Sequence, residues 1–151
     1  MNSRVYKIGA SIGYFALLSY LVLLNPKRRE VKLPLRERLR LRPIIDSVDD
    51  IIHPNGQVWF VKWFYFLLNL FGNIGLFIPF AFVMVFVFRI NALFKVALLA
   101  FLLSFTIEFL QYKTGWGIAD VDDVLLNTLG AVTGFFLYRF FQNRINYSIN
   151  Q

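Results

Sequence analysis

Four carboxylates and four side-chain amides lie at the edges of segments that are otherwise apolar enough to cross a membrane. Charged groups are costly inside a bilayer and usually face protein or water, so they mark candidate functional sites. Carboxylates held close together can act as a general acid or base, or can bind a divalent cation through their oxygens. The candidate residues are Asn69, Asn73, Glu108, Gln111, Asp120, Asp122, Asp123 and Asn127.

The acidic run DVDD begins the last apolar segment. At about 100° per residue, Asp120, Asp123 and Asn127 fall on one stripe of a helix, and Asp122 points the other way. Aspartate is a preferred N-cap and acids suit a helix N-terminus, which accounts for one or two of these residues. Capping does not account for three aspartates beside a glutamate, so we expect a specific role for Asp123 above all.

Ser104, Glu108 and Gln111 form a polar stripe at i, i+4 and i+7 on the preceding apolar segment. A buried carboxylate without a partner would take up a proton, so Glu108 needs a partner. Two interpretations stay open. Glu108 either makes an interhelical hydrogen bond to Asn73 or Asn127, contributing on the order of 1 kcal/mol, or belongs to a carboxylate site.

Two further features concern helix packing. Asn69 and Asn73 lie one helical turn apart, ahead of Pro79, which removes a backbone donor from its helix. Gly130 and Gly134 have the small-xxx-small spacing that lets membrane helices approach closely. We therefore expect a packing kink at the proline and a close helix–helix contact at the glycines.

The composition indicates a membrane protein. The chain has 151 residues, 58% of them hydrophobic, with 18 Phe and a mean hydropathy of +0.57. One soluble domain of this length could not bury so much apolar surface, so the lipid bilayer is the expected surrounding.

The chain has no cysteine, which excludes disulfides and cysteine metal sites. The net charge of +7 suits anionic headgroups, and no nucleic-acid partner is expected.

Four apolar segments have the length of about 20 residues that a spanning helix needs. The sequence therefore predicts an all-α, polytopic membrane protein, a single domain over residues 1–151 whose four transmembrane helices form an antiparallel bundle. Residues 58–64 are expected to be a Trp-rich interfacial approach to the second span. The spans are predicted at about 8–24, 65–88, 92–112 and 121–141, and a polar tail follows the last one.

The first connection, residues 25–57, carries eight basic residues and several aspartates. Its segment VKLPLRERLRLR (31–42) alternates apolar and basic residues, which is compatible with a strand or a surface-lying segment. We expect instead a solvated, basic polar loop that binds headgroups.

His53 is the only histidine, and the sequence holds no Ser–His–Asp set, P-loop, dinucleotide fingerprint or zinc motif. Catalytic residues and cofactors therefore stay unknown, and no metal ligands are predicted.

With four spans, the first and third connections lie on the same side of the membrane. The start of the second span, the end of the third and the start of the fourth then share one leaflet, so the candidate residues can meet there. The number of basic residues in the loops favours an extracellular N-terminus.

Three stretches resemble the VanZ-like family of small membrane proteins: NIGLFIPFAF (73–82), Glu108 with Gln111, and DVDDVLLNTLGAVTGF (120–135). That family is associated with resistance to the glycopeptide teicoplanin and with the bacterial cell envelope. The resemblance implies a multi-pass protein of the cell membrane. It also implies a cluster that faces outward and a cytoplasmic N-terminus, opposite to the charge count.

The sequence departs from the family pattern just before its acidic run. Family members often carry Arg there, whereas this chain has Trp116-Gly-Ile-Ala119. If that Arg pairs with an acid of the cluster, then either an arginine of the first connection replaces it here or this member works differently.

The resemblance implies a contribution to glycopeptide resistance, and we expect a glycopeptide or a lipid-linked cell-wall precursor to be handled at the acid and amide cluster. Two alternatives stay open: a membrane-embedded enzyme acting on a phosphorylated or lipid-linked substrate, and a non-catalytic accessory subunit whose polar residues only hold helices together. The residues decide neither whether a reaction is catalysed nor whether a divalent cation binds.

Overall fold

Long helices make up most of the computed structural model, which describes residues 3–24, 34–35, 38–42, 48, 52 and 58–149. Two short strands, β1 (Leu39–Arg40) and β2 (Ala119–Asp120), pair in parallel. The long helices are α1 (Ser3–Ser19, continued by a π-helical turn at Tyr20–Leu24), α2 (Trp59–Phe86), α3 (Leu93–Thr114) and α4 (Val121–Ile149).

Each of these helices is long and apolar enough to cross a membrane. Within the described residues the candidate spans are Val5–Val22, Trp59–Phe86, Leu93–Thr114 and Val121–Ile145. The outward faces expose large apolar side chains such as Phe71, Phe94 and Phe105, which lipid covers in a bilayer. The predicted all-α bundle of four transmembrane helices is confirmed.

Helix α2 runs unbroken from Trp59 to Phe86 and includes Pro79, so the Trp-rich segment and the second span belong to one helix. That the Trp-rich segment lies at the membrane interface stays a prediction. The 28 residues of α2 measure about 42 Å, so the helix tilts or reaches beyond a hydrocarbon core about 30 Å thick. Helix α4 continues to Ile149, so the polar tail predicted after the last span is helical up to that residue.

Helix α4 occupies the centre of the bundle and packs extensively against both α2 and α3. Helix α1 lies outside, against α2. There the Tyr14 phenol donates a hydrogen bond to the Leu76 carbonyl (3.0 Å), and Phe15 meets Phe80 edge-on. All four helices contribute to the buried apolar core, which includes Leu18, Phe77, Phe80, Ala100, Ile107, Ala131 and Phe135.

Helices α2 and α4 approach each other backbone to backbone. A Cβ placed on Gly130 would overlap the carbonyl oxygen of Ile74, and a Cβ on Gly134 would overlap that of Ile78. Any larger residue at either glycine would push the helices apart. The close contact predicted from the glycine spacing is confirmed.

Part of the basic connection is a strand rather than a solvated loop. Arg40 lies opposite Asp120 in the β1–β2 pair, and the Ala119 N–H donates to the Arg38 carbonyl (2.8 Å). The expectation of a solvated loop is wrong here, because apolar and basic residues that alternate can pair as a strand. Most of the remaining connection, His53 included, lies outside the described residues.

The close contact between α2 and α4 predicts how alanine substitutions differ. Gly130→Ala should lower the free energy of unfolding by about 1–3 kcal/mol relative to Gly75→Ala, because only the first introduces a clash. A Cβ at Gly75 meets no atom within 4 Å, and both variants gain similar helix propensity. Unfolding of the detergent-solubilised protein measures the difference. Equal stability of the two variants would contradict the close approach.

Candidate functional site

The candidate polar residues gather at one end of the bundle, which we call the cluster end. It contains the start of α2, the end of α3 and the start of α4. The Asn69–Asp123 and Glu108–Asp120 hydrogen bonds join these three elements. The three helix ends therefore meet, as the expectation that they share one leaflet requires. We call the eight residues predicted from the sequence the polar cluster.

Between α2 and α4, Asp123 accepts hydrogen bonds from two asparagines. Its Oδ1 receives Asn73 Nδ2 at 2.6 Å and Asn69 Nδ2 at 3.1 Å. Asn73 also donates to Asn69 Oδ1 at 3.2 Å, which fixes the two amides relative to each other. Hydrogen bonds to an ionised acceptor are short and strong, as the 2.6 Å contact is. Asn69 is exposed and the other two are half-buried, so this group borders the surface.

Where α3 meets α4, the carboxylates bind backbone N–H groups. Glu108, only 6% exposed, accepts the Asp120 N–H at Oε2 (2.9 Å). Asp120 in turn accepts the Asp122 N–H at Oδ1 (2.9 Å), which is an N-cap at the start of α4. Asp122 is buried. Of the two interpretations left open for Glu108, the hydrogen bond to Asn73 or Asn127 is not observed, because the amides of those two residues donate to Asn69, Asp123 and Ser104 instead.

The environment of Asp120 disfavours its charge. Partial burial raises the pKa of this carboxyl to about 6. The Asp122 N–H that binds it lowers the pKa, the charges of Asp123 and Asp122 raise it, and Arg40 lowers it. Asp120 therefore changes charge close to neutral pH and responds to its acidic neighbours.

Arg40 was not among the residues predicted from the sequence. It reaches the cluster end because β1 pairs with β2 and places it opposite Asp120. This supports the view that an arginine of the first connection replaces the Arg that the family often carries before the acidic run. Gly115, at φ +71°, ends α3 and leaves room for the Arg38 guanidinium, whose Cζ would lie 2.8 Å from a Cβ there. The alternating segment 31–42 was the signal that could have revealed both arginines.

Two members of the polar cluster make interhelical bonds away from the Asp123 group. Asn127 Nδ2 donates to Ser104 Oγ (2.8 Å), and both residues are buried between α4 and α3. Gln111 Nε2 donates to the Val22 carbonyl (3.2 Å) in the π-helical turn after α1. Asp123 therefore faces α2 while Asn127 faces α3, so the single stripe predicted for α4 is divided between two neighbouring helices.

A small cavity lies beside the junction of α3 and α4. Its volume is about 200 Å³ and its wall is mostly apolar, with Glu108, Asp120 and Arg40 among the residues that line it. Sites that enclose a drug-sized ligand measure about 300–1,000 Å³, so this cavity can hold only one group of a larger molecule. The other lining residues are Leu39, Leu41, Phe105, Phe109, Tyr112, Ala119, Val121 and Val124.

The acidic residues of the cluster are not arranged as a metal centre. In the part of the chain that the structure describes, no group of three or more His, Cys, Asp or Glu side chains is placed to hold an ion. The carboxylate oxygens described above accept N–H groups instead. The carboxylates of the polar cluster therefore connect neighbouring helices and strands through hydrogen bonds, and Arg40 lies beside them.

A family model for VanZ/LLP1 matches residues 10–142. This chain belongs to the VanZ/LLP1 family. The match covers all but the first nine and last nine residues, and so contains the whole polar cluster and the β1–β2 pair. Together with the four candidate spans, it identifies a multi-pass membrane protein. A search of curated proteins and a search of solved structures each found no significant match.

Proposed function

We propose that this VanZ/LLP1 family member lies in the bacterial cell membrane and contributes to resistance against glycopeptides of the teicoplanin type. In this proposal the cluster end holds one group of a glycopeptide or of a lipid-linked cell-wall precursor. Family membership supports the link to resistance. The observation that carries the proposal is the convergence of acids, amides and Arg40 from β1, β2, α2, α3 and α4 at one end of the bundle, where Glu108, Asp120 and Arg40 also line a cavity.

The residues of the cluster end divide into those that hold helices together and those that border the surface. Asn127 and Gln111 are buried and each donates a hydrogen bond to another helix, which packing explains, while the side-chain oxygen of each is buried without a partner among the described residues. The Asn69–Asn73–Asp123 group includes an exposed amide, and Asp120 lies half-buried beside Arg40. We assign ligand contact to the second set and to Glu108, which lines the cavity.

The size and chemistry of the cavity restrict what it can hold. A volume of about 200 Å³ excludes a whole glycopeptide. An apolar wall with an acid–arginine pair at its edge suits a group that is partly apolar and partly charged. We therefore propose that the bulk of the ligand stays at the membrane surface, and that only one such group enters.

Near-isosteric substitutions separate ligand contact from helix packing. In a susceptible host, Asp123→Asn and Glu108→Gln should each reduce the teicoplanin resistance given by the wild-type gene to that of the empty vector, at unchanged protein level. In Asp123→Asn the side-chain amide oxygen can still accept the hydrogen bond from Asn73, so packing is largely kept while the charge is lost. Teicoplanin inhibitory concentrations and membrane immunoblots provide the measurement.

Lys113→Gln is the matched control, because Lys113 is an exposed charge near the cluster end that neither lines the cavity nor belongs to the polar cluster. It should keep full resistance. Full resistance in both acid variants would contradict the proposal. Loss of resistance only in step with loss of protein would favour the accessory-subunit alternative.

We also propose that the N-terminus is cytoplasmic and the cluster end extracellular, since a surface ligand must reach the cluster. The count of basic residues favours the opposite orientation, because ten belong to the cluster end or to the 25–57 connection that joins it and six to the opposite end. Arg38 and Arg40 are, however, held in the fold by the β1–β2 pair, and we give them less weight in the count.

Because the chain has no cysteine, single cysteines report the orientation directly. In intact cells, an impermeant maleimide should label Lys113→Cys and leave Asn91→Cys unlabelled until the membrane is opened. Both positions are exposed, so accessibility to the reagent depends on the side of the membrane. Labelling at Asn91→Cys alone would reverse the proposed orientation.

A further inference from the structure

A second cavity lies far from the polar cluster, at the opposite end of the bundle. It is a groove of about 600 Å³ between the first turns of α1 and the last parts of α2 and α4. Its volume lies within the range of about 300–1,000 Å³ that is typical of sites for a drug-sized ligand. We call this the basic end, where α1 begins, α2 joins α3 and α4 ends.

The wall of the groove is apolar and aromatic. Phe82 and Tyr138 meet edge-on within it, at 5.7 Å between ring centroids, and Phe86 and Phe141 also line it. Even Ser11 presents little polarity, because its hydroxyl donates to the Lys7 carbonyl of its own helix (2.8 Å). Such a wall suits a hydrocarbon chain.

One cation lies in this groove. The Lys7 ammonium is 3.8 Å from the centre of the Phe86 ring, a cation–π contact that holds the charge against the groove. No carboxylate of the described residues pairs with Lys7. An anion from outside the chain is therefore the natural partner of this ammonium.

The charge of the basic end is entirely positive. The sequence has no acidic residue in 1–29, 51–107 or 124–151, which include every segment at this end. The basic residues here are Arg4, Lys7, Arg89, Lys95, Arg139 and Arg144. Of these, Lys7 lines the groove. An apolar groove with a cation on its wall is complementary to a molecule with an anionic head and a hydrocarbon tail.

We propose that this groove binds one anionic phospholipid of the surrounding bilayer, with an acyl chain between α1, α2 and α4 and its phosphate group on Lys7. Lipid tails are as apolar as the groove, so the chain gains packing but little hydrophobic free energy on leaving the bilayer. A preference for an anionic phospholipid over other lipids must therefore come from its headgroup, which the charge of Lys7 attracts. The proposal is independent of any role of the polar cluster.

Native mass spectrometry of the purified full chain, titrated with phosphatidylglycerol or phosphatidylcholine, tests this site. The wild type should retain one phosphatidylglycerol in preference to phosphatidylcholine. Lys7→Gln should reduce the preference about fivefold, the effect expected of one basic residue near an anionic lipid. Lys7→Arg should restore it, because it restores the charge.

Lys95→Gln is the matched control, since Lys95 is an exposed lysine of the same end that does not line the groove. It should behave as the wild type. Ala10→Leu, which narrows the groove at a small lining residue, should weaken retention of both lipids without changing the preference between them.

Three results would overturn the proposal. The first is equal retention of the two lipids by the wild type, which would mean that bulk lipid merely fills the groove. The second is an equal effect of Lys7→Gln and Lys95→Gln, which would mean that the charge of the whole end acts without a site. The third is a dimer without bound lipid, which would assign the groove to a second copy of the chain.

Discussion

The backbone contact between α2 and α4 is the constraint on which the cluster end depends. Gly130 and Gly134 let the two helices approach until any Cβ would overlap the carbonyls of Ile74 and Ile78. Asparagine side chains are short, so Asn69 and Asn73 can reach Asp123 only if α2 and α4 are this close. The glycines in the middle of the bundle thus set the geometry of the carboxylate at its end.

A second constraint acts where α3 meets α4. Glu108 binds the Asp120 N–H, Asp120 caps α4, and Arg40 of β1 lies opposite Asp120. The connection between α3 and α4 is therefore tied both to a buried carboxylate and to a strand from the first connection. The bundle centres on α4, and each of its two neighbours contributes polar groups to the start of that helix.

Apolar length and residue spacing were sufficient to predict the four spans, the meeting of three helix ends at one end of the bundle, and the close contact at Gly130 and Gly134. Residue spacing was less reliable for predicting which neighbouring helix a side chain faces. Asp123 and Asn127 differ by about 40° around an ideal helix, and this is enough to aim them at different neighbours because α4 lies between α2 and α3. Asp120 precedes the helix, so helical spacing does not apply to it.

Other features depend on contacts that a single sequence does not reveal. The β1–β2 pair joins two-residue strands about 80 positions apart, and only the alternation in 31–42 hinted at it. Glu108 accepts a hydrogen bond from a backbone N–H. Every residue except proline offers such a donor, so residue types alone could not identify the partner of Glu108. The polar residues after Phe141 lie in a helix although their composition resembles that of a tail.

The coupling between Asn73 and Asp123 tests the central claim most directly. A double-mutant cycle of Asn73→Ala and Asp123→Ala, read as free energies of unfolding in detergent, should give a coupling of about 1 kcal/mol or more, because the acceptor is charged. The cycle of Asn73→Ala with Asn127→Ala is the control and should be additive, since Asn127 faces α3. Additivity within about 0.3 kcal/mol for Asn73 and Asp123 would contradict the account.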